Sequence, residues 1–426
     1  MTRVQLRRWL SLSAASACVA SGAFATFLAC STPYTAAPDA PADAGTDANV
    51  LADSAPGDAA PPDPCKHVLP PAPPPLDDAP GDELPPFYIA VRTTRISNDM
   101  KTIRGFDLDG VCTCNADKTN TAHGGGPSCL SAKPSCDLDG GVDNAVSVLA
   151  AQTSPFFSLD TLPQRLIDIG RRTLLLEIGK YNGRRNDKEI AFGVALSDGI
   201  RQQGCPTSTE NVAKGIWTPG WCGDDVWSFL PEALVPATNQ PLIQGLGYVT
   251  DGVITLQLDS VLQIPFDEIS VIPVSGTVMT GTLTPLDDDL TPRDPSQPPA
   301  TERQKRLFAL DNALIGGRVK ATQLLSAVGT VDTSVGDAGP AYLCQQSSYQ
   351  LLRQGICTAV DLASTQALDF DPQAKCDSLS VGITFTAFPV LPGAVHQTNL
   401  VSNPCAAGAD GEPPDAGSDP PYTCPQ

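Results

Sequence analysis

Residues Glu189 to Ser197 read EIAFGVALS, and the order of large and small side chains in them decides the fold class. Ile190, Phe192, Val194 and Leu196 alternate with Ala191, Gly193 and Ala195. A period of two suits a strand with one buried face, not a helix. The same alternation returns in SLSVGITFTAF, where Leu379, Val381, Ile383 and Phe385 face away from Ser, Gly and Thr. In YVTDGVITLQL the pair Asp251-Gly252 separates two β-prone runs, a strong short-range hairpin signal. With SVIPVSGTVMTGTLT nearby, these runs predict a mainly β protein, an antiparallel β-sandwich-like domain.

Helices are expected to be few and short. Val142, Ala145, Val146, Leu149 and Ala150 follow helical spacing, as do Leu162, Leu166 and Ile169. Two more are expected over KATQLLSAVG and over YLCQQSSYQLLRQG, the latter ended by Gly355. The segment 286–306, LDDDLTPRDPSQPPATERQKR, is too polar and proline-rich for a core and reads as a long surface loop between residues 87–285 and a C-terminal β-rich part, 307–403, of the same domain.

The flanks have another composition. Residues 31–86 hold ten Asp or Glu against Lys66 alone, among Ala, Pro and Gly. Such a stretch buries too little apolar surface to offset the entropy of ordering, so 30–86 reads as a disordered tether. The acidic tail 404–426 is similar, although Cys405 and Cys424 offer a way to close it into a loop. The formal net charge of −20 argues against nucleic acid, which needs clustered cations.

Arg3, Arg7 and Arg8 precede an uncharged, small-residue run from Trp9 to Ala29, the pattern of an export signal over 1–29. The run ends in TFLAC, which resembles the lipobox of bacterial lipoproteins, with Phe27 where that motif usually has Leu. The resemblance makes Cys30 the lipidated residue, and Ser31 after it implies the outer membrane. The alternative is cleavage after AFA, Ala23 to Ala25, giving a secreted or periplasmic chain. Of fourteen cysteines, removing Cys18 and Cys30 leaves twelve, an even number suited to disulfides whose pairing the sequence leaves open. Cys112, Cys114, Cys129 and Cys136 cluster, but not with the spacing of paired CxxC zinc knuckles.

Three constellations could carry chemistry. DLDG occurs at Asp107–Gly110 and again at Asp137–Gly140, the second followed by GVDN. Asp107, Asp109, Asp137, Asp139, Asp143 and the amide oxygen of Asn144 could serve calcium, a hard cation that takes six to eight oxygens. DLDGGVDN resembles the acidic loops of thrombospondin type 3 repeats and fails the EF-hand pattern. Against this stands a plainer reading, in which the Asp-Gly pairs turn corners and Asp143 caps the helix that follows. Calcium is the one cofactor expected, if any.

The second constellation is hydrolytic. HGGG at His123–Gly126 resembles the oxyanion motif of the α/β-hydrolase family, ALSDG at Ala195–Gly199 approximates its nucleophile elbow, and His396 comes late, as that family's base does. Under that resemblance Ser197 is the nucleophile, but no βαβ pattern surrounds it. The third is GIWTPGWCGDDVW, where Trp217, Trp221 and Trp227 stand beside Asp224 and Asp225 in a manner suited to sugars. The competing reading is a small aromatic core under a disulfide-stapled loop.

Lipobox, tether, GFDLDG with trailing cysteines, GVDNA and LDNALIGGRVKATQLL together resemble secreted lipoproteins of the myxobacterial type. The resemblance implies an address and no activity. The chain is therefore expected to be an outer-membrane-anchored, non-catalytic binding or structural module. Its expected partners are the membrane, through the lipid, and a carbohydrate or cell-surface protein. An extracytoplasmic esterase or glycan-active hydrolase is the alternative.

Overall fold

The computed structural model describes residues 67–396, except 80–81, 97–100, 114–127, 132–135, 154–158, 160, 206–217, 334–340, 370 and 372, together with 405 and 422–424. The protein is mainly β. In chain order the strands are β1 (Phe87–Arg95), β2 (Leu174–Gly179), β3 (Asp187–Gln202), β4 (Val226–Phe229), β5 (Ile243–Thr250), β6 (Val253–Leu258), β7 (Leu262–Pro265), β8 (Val271–Pro285), β9 (Phe308–Lys320) and β10 (Ser378–Val395). Four helices accompany them among the described residues: α1 (Ala145–Thr153), α2 (Thr161–Asp168), α3 (Ala321–Gly329) and α4 (Ser348–Thr358).

The antiparallel pairings close on themselves. β1 pairs β2, β2 pairs β3, β3 pairs β5, and the series runs on through β6, β8, β9 and β10 back to β1. The layers expected to pack face to face are opposite walls of this eight-stranded ring. One face of every ring strand enters a single core, including Ile89, Leu176, Phe192, Val249, Leu256, Met279, Ile315 and Ile383. Phe87 stacks on Phe308 at 4.7 Å between centroids, and Tyr181 meets Phe308 edge-on at 5.6 Å, joining β1 and β9 across the core.

Three features refine the strand reading. Asp251 and Gly252 both have positive φ, 51° and 81°, the conformation a two-residue hairpin needs to match strand twist. In β9 the inward parity shifts between Leu310 and Ala313, because Asn312 at φ 49° is the extra residue of a bulge opposite β8 and β10. The second face of β3 is also covered. Its last residues pair with β4, which runs parallel to the end of β10, and Ala195, Ile200, Trp227 and Phe229 form a second core outside the ring.

Residues 62–426 form one compact unit, in which β8 and β9, on either side of the 286–306 loop, pair directly. Some boundaries differ from expectation. Residues 67–79 and 82–86, read from composition as the end of the tether, lie along the domain. Tyr248 and Thr250 donate hydroxyl hydrogen bonds to the carbonyls of Pro71 and Ala72, and Leu84 N–H donates to Tyr181 at 2.7 Å. α4 continues past Gly355 to Thr358. The tail cysteines do not pair with each other: Cys405 bonds Cys344, and Cys424 bonds Cys357 on α4. Cys129–Cys376 and Cys205–Cys222 complete the four assigned bridges, and Cys112 and Cys136 are also disulfide-bonded rather than free to bind zinc. Structural disulfides place the folded chain in an extracytoplasmic, oxidising compartment. Among the described residues no helix is long and apolar enough to cross a membrane.

Gly382 marks the tightest approach of a loop to the ring. A Cβ there would lie 2.3 Å from the Arg104 carbonyl oxygen and 2.5 Å from Asn144 Nδ2, whereas one at Gly179 would meet nothing closer than 3.8 Å. Gly382→Ala should lose about 2 kcal/mol or more in urea unfolding, and Gly179→Ala should leave the midpoint nearly unchanged.

Candidate functional site

The connection from β1 to β2 carries both DLDG turns, and short bridges draw them together. Phe106 pairs with Asp143 and Leu138 with Val142, while Val68 accepts from Asp107 N–H and donates to the Gly140 carbonyl. The first turn is closed by its own two aspartates, and the second by backbone bonds between Leu138 and Gly141 and between Leu138 and Val142. Asp107 Oδ1 accepts from Gly110 N–H at 2.7 Å and Asp109 Oδ1 from Val111 N–H at 2.9 Å. Two aspartates of the second turn then hold the first: Asp143 Oδ2 accepts from Leu108 N–H at 2.7 Å and Asp137 Oδ2 from Thr113 N–H at 2.6 Å.

As a result Asp107, Asp109 and Asp143 each present a carboxylate oxygen within 4.8 Å of the others. All three are buried, Asp143 to 2 % exposure. Asp137 stands close enough to raise the Asp143 pKa, while Asp139 is exposed on the second turn. Asn144 leaves the ligand set. Its Oδ1 caps α1 by accepting from Ser147 N–H at 3.1 Å, and its Nδ2 donates to the carbonyls of Arg104 and Gly382. The expected cap, Asp143, is thereby freed to join the cluster.

Residues from distant parts of the chain complete the surroundings. His67 Nδ1 bonds Asp107 Oδ2. Arg318, 3 % exposed, is paired with Asp369 and donates to the Leu108 carbonyl at 2.9 Å. Asp361 accepts from Ser380 N–H, and Ser380 Oγ accepts from Ala145 N–H at the start of α1. None of these was anticipated. The one signal in the sequence is Arg318 itself, a cation inside the apolar run ALIGGRV that requires a buried partner.

Burial dominates the electrostatics. It pushes Asp143 up to about 10, Asp137 to about 8 and Asp361 to about 7, with neighbouring carboxylates adding to each, and it raises Asp109 as well. Such a cluster must either take up protons or hold a cation. Its donors are all oxygen, which fits a hard divalent ion such as Ca²⁺ and not zinc or copper.

Among the described residues the other two constellations are not assembled. Ser197 is fully buried within β3; its hydroxyl donates to the Ser228 carbonyl at 2.7 Å and accepts from Gly199 N–H at 3.0 Å. His396 Nδ1 is engaged by Asp198 and Arg201, not by Ser197, and His123 lies outside the described residues. Nothing here forms a nucleophile elbow. Trp217 also lies outside the described residues, Trp227 is fully buried, and Trp221 packs on it at 5.9 Å under the Arg92 guanidinium. Asp225 accepts from Gly204 and Trp221 N–H groups to shape the loop, and Asp224 is held by Arg303 and Arg306. Trp221 and Trp227 therefore belong to a small core beside the Cys205–Cys222 staple.

No family model, curated protein or solved structure matches the chain.

The raised carboxyl pKa values fix a sign. The unfolded aspartates titrate near 3.9, so above that pH the metal-free folded state binds more protons than the unfolded state. The stability this contributes is present at low pH and lost as pH rises through about 7, 8 and 10. In EDTA the melting temperature should fall between pH 5 and pH 9, measured by thermal scans, and Asp143→Asn should flatten that slope.

Proposed function

We propose that the chain is an exported lipoprotein of the outer membrane, held by a lipid on Cys30, whose folded unit is a non-catalytic surface module stabilised by calcium. The single observation that carries the calcium reading is the meeting of Asp107, Asp109 and Asp143 within 4.8 Å in a buried site. Asp137 stands as a further ligand or charge partner. The ion would join the two turns, and through Asn144 and α1 the turns are fastened to β10. In this reading calcium acts on stability and presentation, not on a reaction. Export is supported by the charged, apolar N-terminus and the disulfides, and the anchor by TFLAC. The likeness to myxobacterial secreted lipoproteins belongs to the same proposal. A cell-surface carbohydrate or protein is the class of partner such a module would meet.

Calcium at about one hundred times its dissociation constant should add about 2.7 kcal/mol, a rise of a few degrees in melting temperature at pH 8 that EDTA reverses. Asp143→Asn keeps an acceptor for Leu108 N–H but removes a charge, so it should abolish the calcium shift while folding normally. An unchanged melting temperature with calcium would leave the cluster as a protonated turn assembly.

The anchor is tested separately. Expressed with its own leader, the chain should fractionate with membranes and incorporate radiolabelled palmitate, and Cys30→Ser should lose both.

A further inference from the structure

The ring leaves space at one end of its interior. Where β2, β5 and β8 begin and β6 ends, there is a cavity of about 520 Å³, a size that holds small-molecule ligands. Eight-stranded rings are wide enough inside to take one such ligand. Its walls are apolar, drawn from Leu174, Val194, Leu196, Leu230 and Leu262, all buried core residues. Leu242 and Val261 also line it and are 59 % and 48 % exposed, giving the mouth an apolar lip.

Four polar side chains interrupt the apolar wall, Arg172, Glu232, Ser260 and Gln263, and of these Arg172 is the one cation. Arg172, between α2 and β2, lines the cavity and is only 6 % exposed. Among the described residues its guanidinium has no hydrogen-bond or ion-pair partner, although it carries five N–H donors and remains charged. Asp198, Glu268, Asp267 and Glu232 lie within electrostatic reach but not in contact. Asp198 is already held by Arg201 at 2.7 Å, and Glu232 and Glu268 are exposed, where water screens them. A buried cation without a contacting partner, in a cavity whose only carboxylate among the described lining residues is the exposed Glu232, is an arrangement that natural structures complete with a partner.

We propose that this cavity binds a single acyl chain ended by a carboxylate, the hydrocarbon lying in the mouth of the ring and the carboxylate accepting the Arg172 N–H groups. Carboxylate and guanidinium match in shape and give charge-assisted, bidentate bonds. One guanidinium neutralises one charge. A phosphate head, with a charge approaching two, would leave the excess facing Asp198 and Glu232. A neutral head would gain only ordinary hydrogen bonds. The site is separate from the aspartate cluster and stands or falls independently of it.

Calorimetric titration of the mature oxidised chain with sodium decanoate and, separately, decanol reads the proposal directly. Decanoate should bind one to one and at least about ten-fold more tightly than decanol, as expected for hydrogen bonds to a charged group. Arg172→Met, which removes an unpaired buried charge and so should not lower the melting temperature, should bind both equally. Val194→Trp, which fills the cavity, should bind neither. Equal affinity of decanoate and decanol for the unaltered chain, or no binding of either, would overturn the proposal without recourse to any variant. So would a decanoate preference surviving in Arg172→Met.

Discussion

The antiparallel pairing of β1 with β10 is the constraint on which the rest depends. Tyr88 pairs with Val390 and Arg95 with Thr384, so the first and last strands of the domain close the ring. Loop-closure entropy grows only slowly with the length of intervening chain, so even so long a closure is affordable once the interior is apolar. Closure also removes exposed edges along the ring, which would otherwise present unpaired backbone groups. Where β3 and β10 extend beyond the ring, β4 lies between them and occupies their free edges.

With the ring closed, the long connection between β1 and β2 folds against it, and the buried residues of its helices join the ring's own core. It does so as two acidic turns that hold one another through side-chain carboxylates, then as α1 and α2. β10 receives this excursion. Gly382 admits the Arg104 and Asn144 contacts, Ser380 supports the start of α1, and Cys129–Cys376 ties the connection to the segment just before the strand. The carboxylates are buried by this docking, and their raised pKa values are its electrostatic consequence. α4 is fastened in the same spirit, with Cys357 bonded to Cys424 and Arg353 donating to the Thr423 carbonyl at 2.7 Å.

Ser197 and Trp227, from the other two constellations, are enclosed for one reason. Ser197 and Trp227 both lie where the second core covers the outer face of the ring, and burial there occupies the serine hydroxyl and encloses the indole. Chemistry that a motif suggests requires access, and access is a property of the layer above the strand. Arg172 is the converse case. Nothing in RRTLLLEIG marks the second arginine as special, yet it is the one that faces an apolar cavity.

The sequence by itself determined the local elements. The alternation in EIAFGVALS and SLSVGITFTAF made β3 and β10, Asp251-Gly252 made the β5–β6 turn, and the helical spacings placed α1, α2 and α3, because period and turn chemistry act over a few residues. The paired DLDG motifs were legible as a candidate site for the same reason, and three of their six expected ligands converge. What only the tertiary structure decided were contacts between residues far apart in the chain: closure of the ring, the disulfide partners, the arrival of Arg318, Asp361 and His67 around the acidic turns, and the exchange of roles between Asp143 and Asn144. Those outcomes depend on which surfaces meet and which are thereby removed from water, and no local pattern of side chains encodes that.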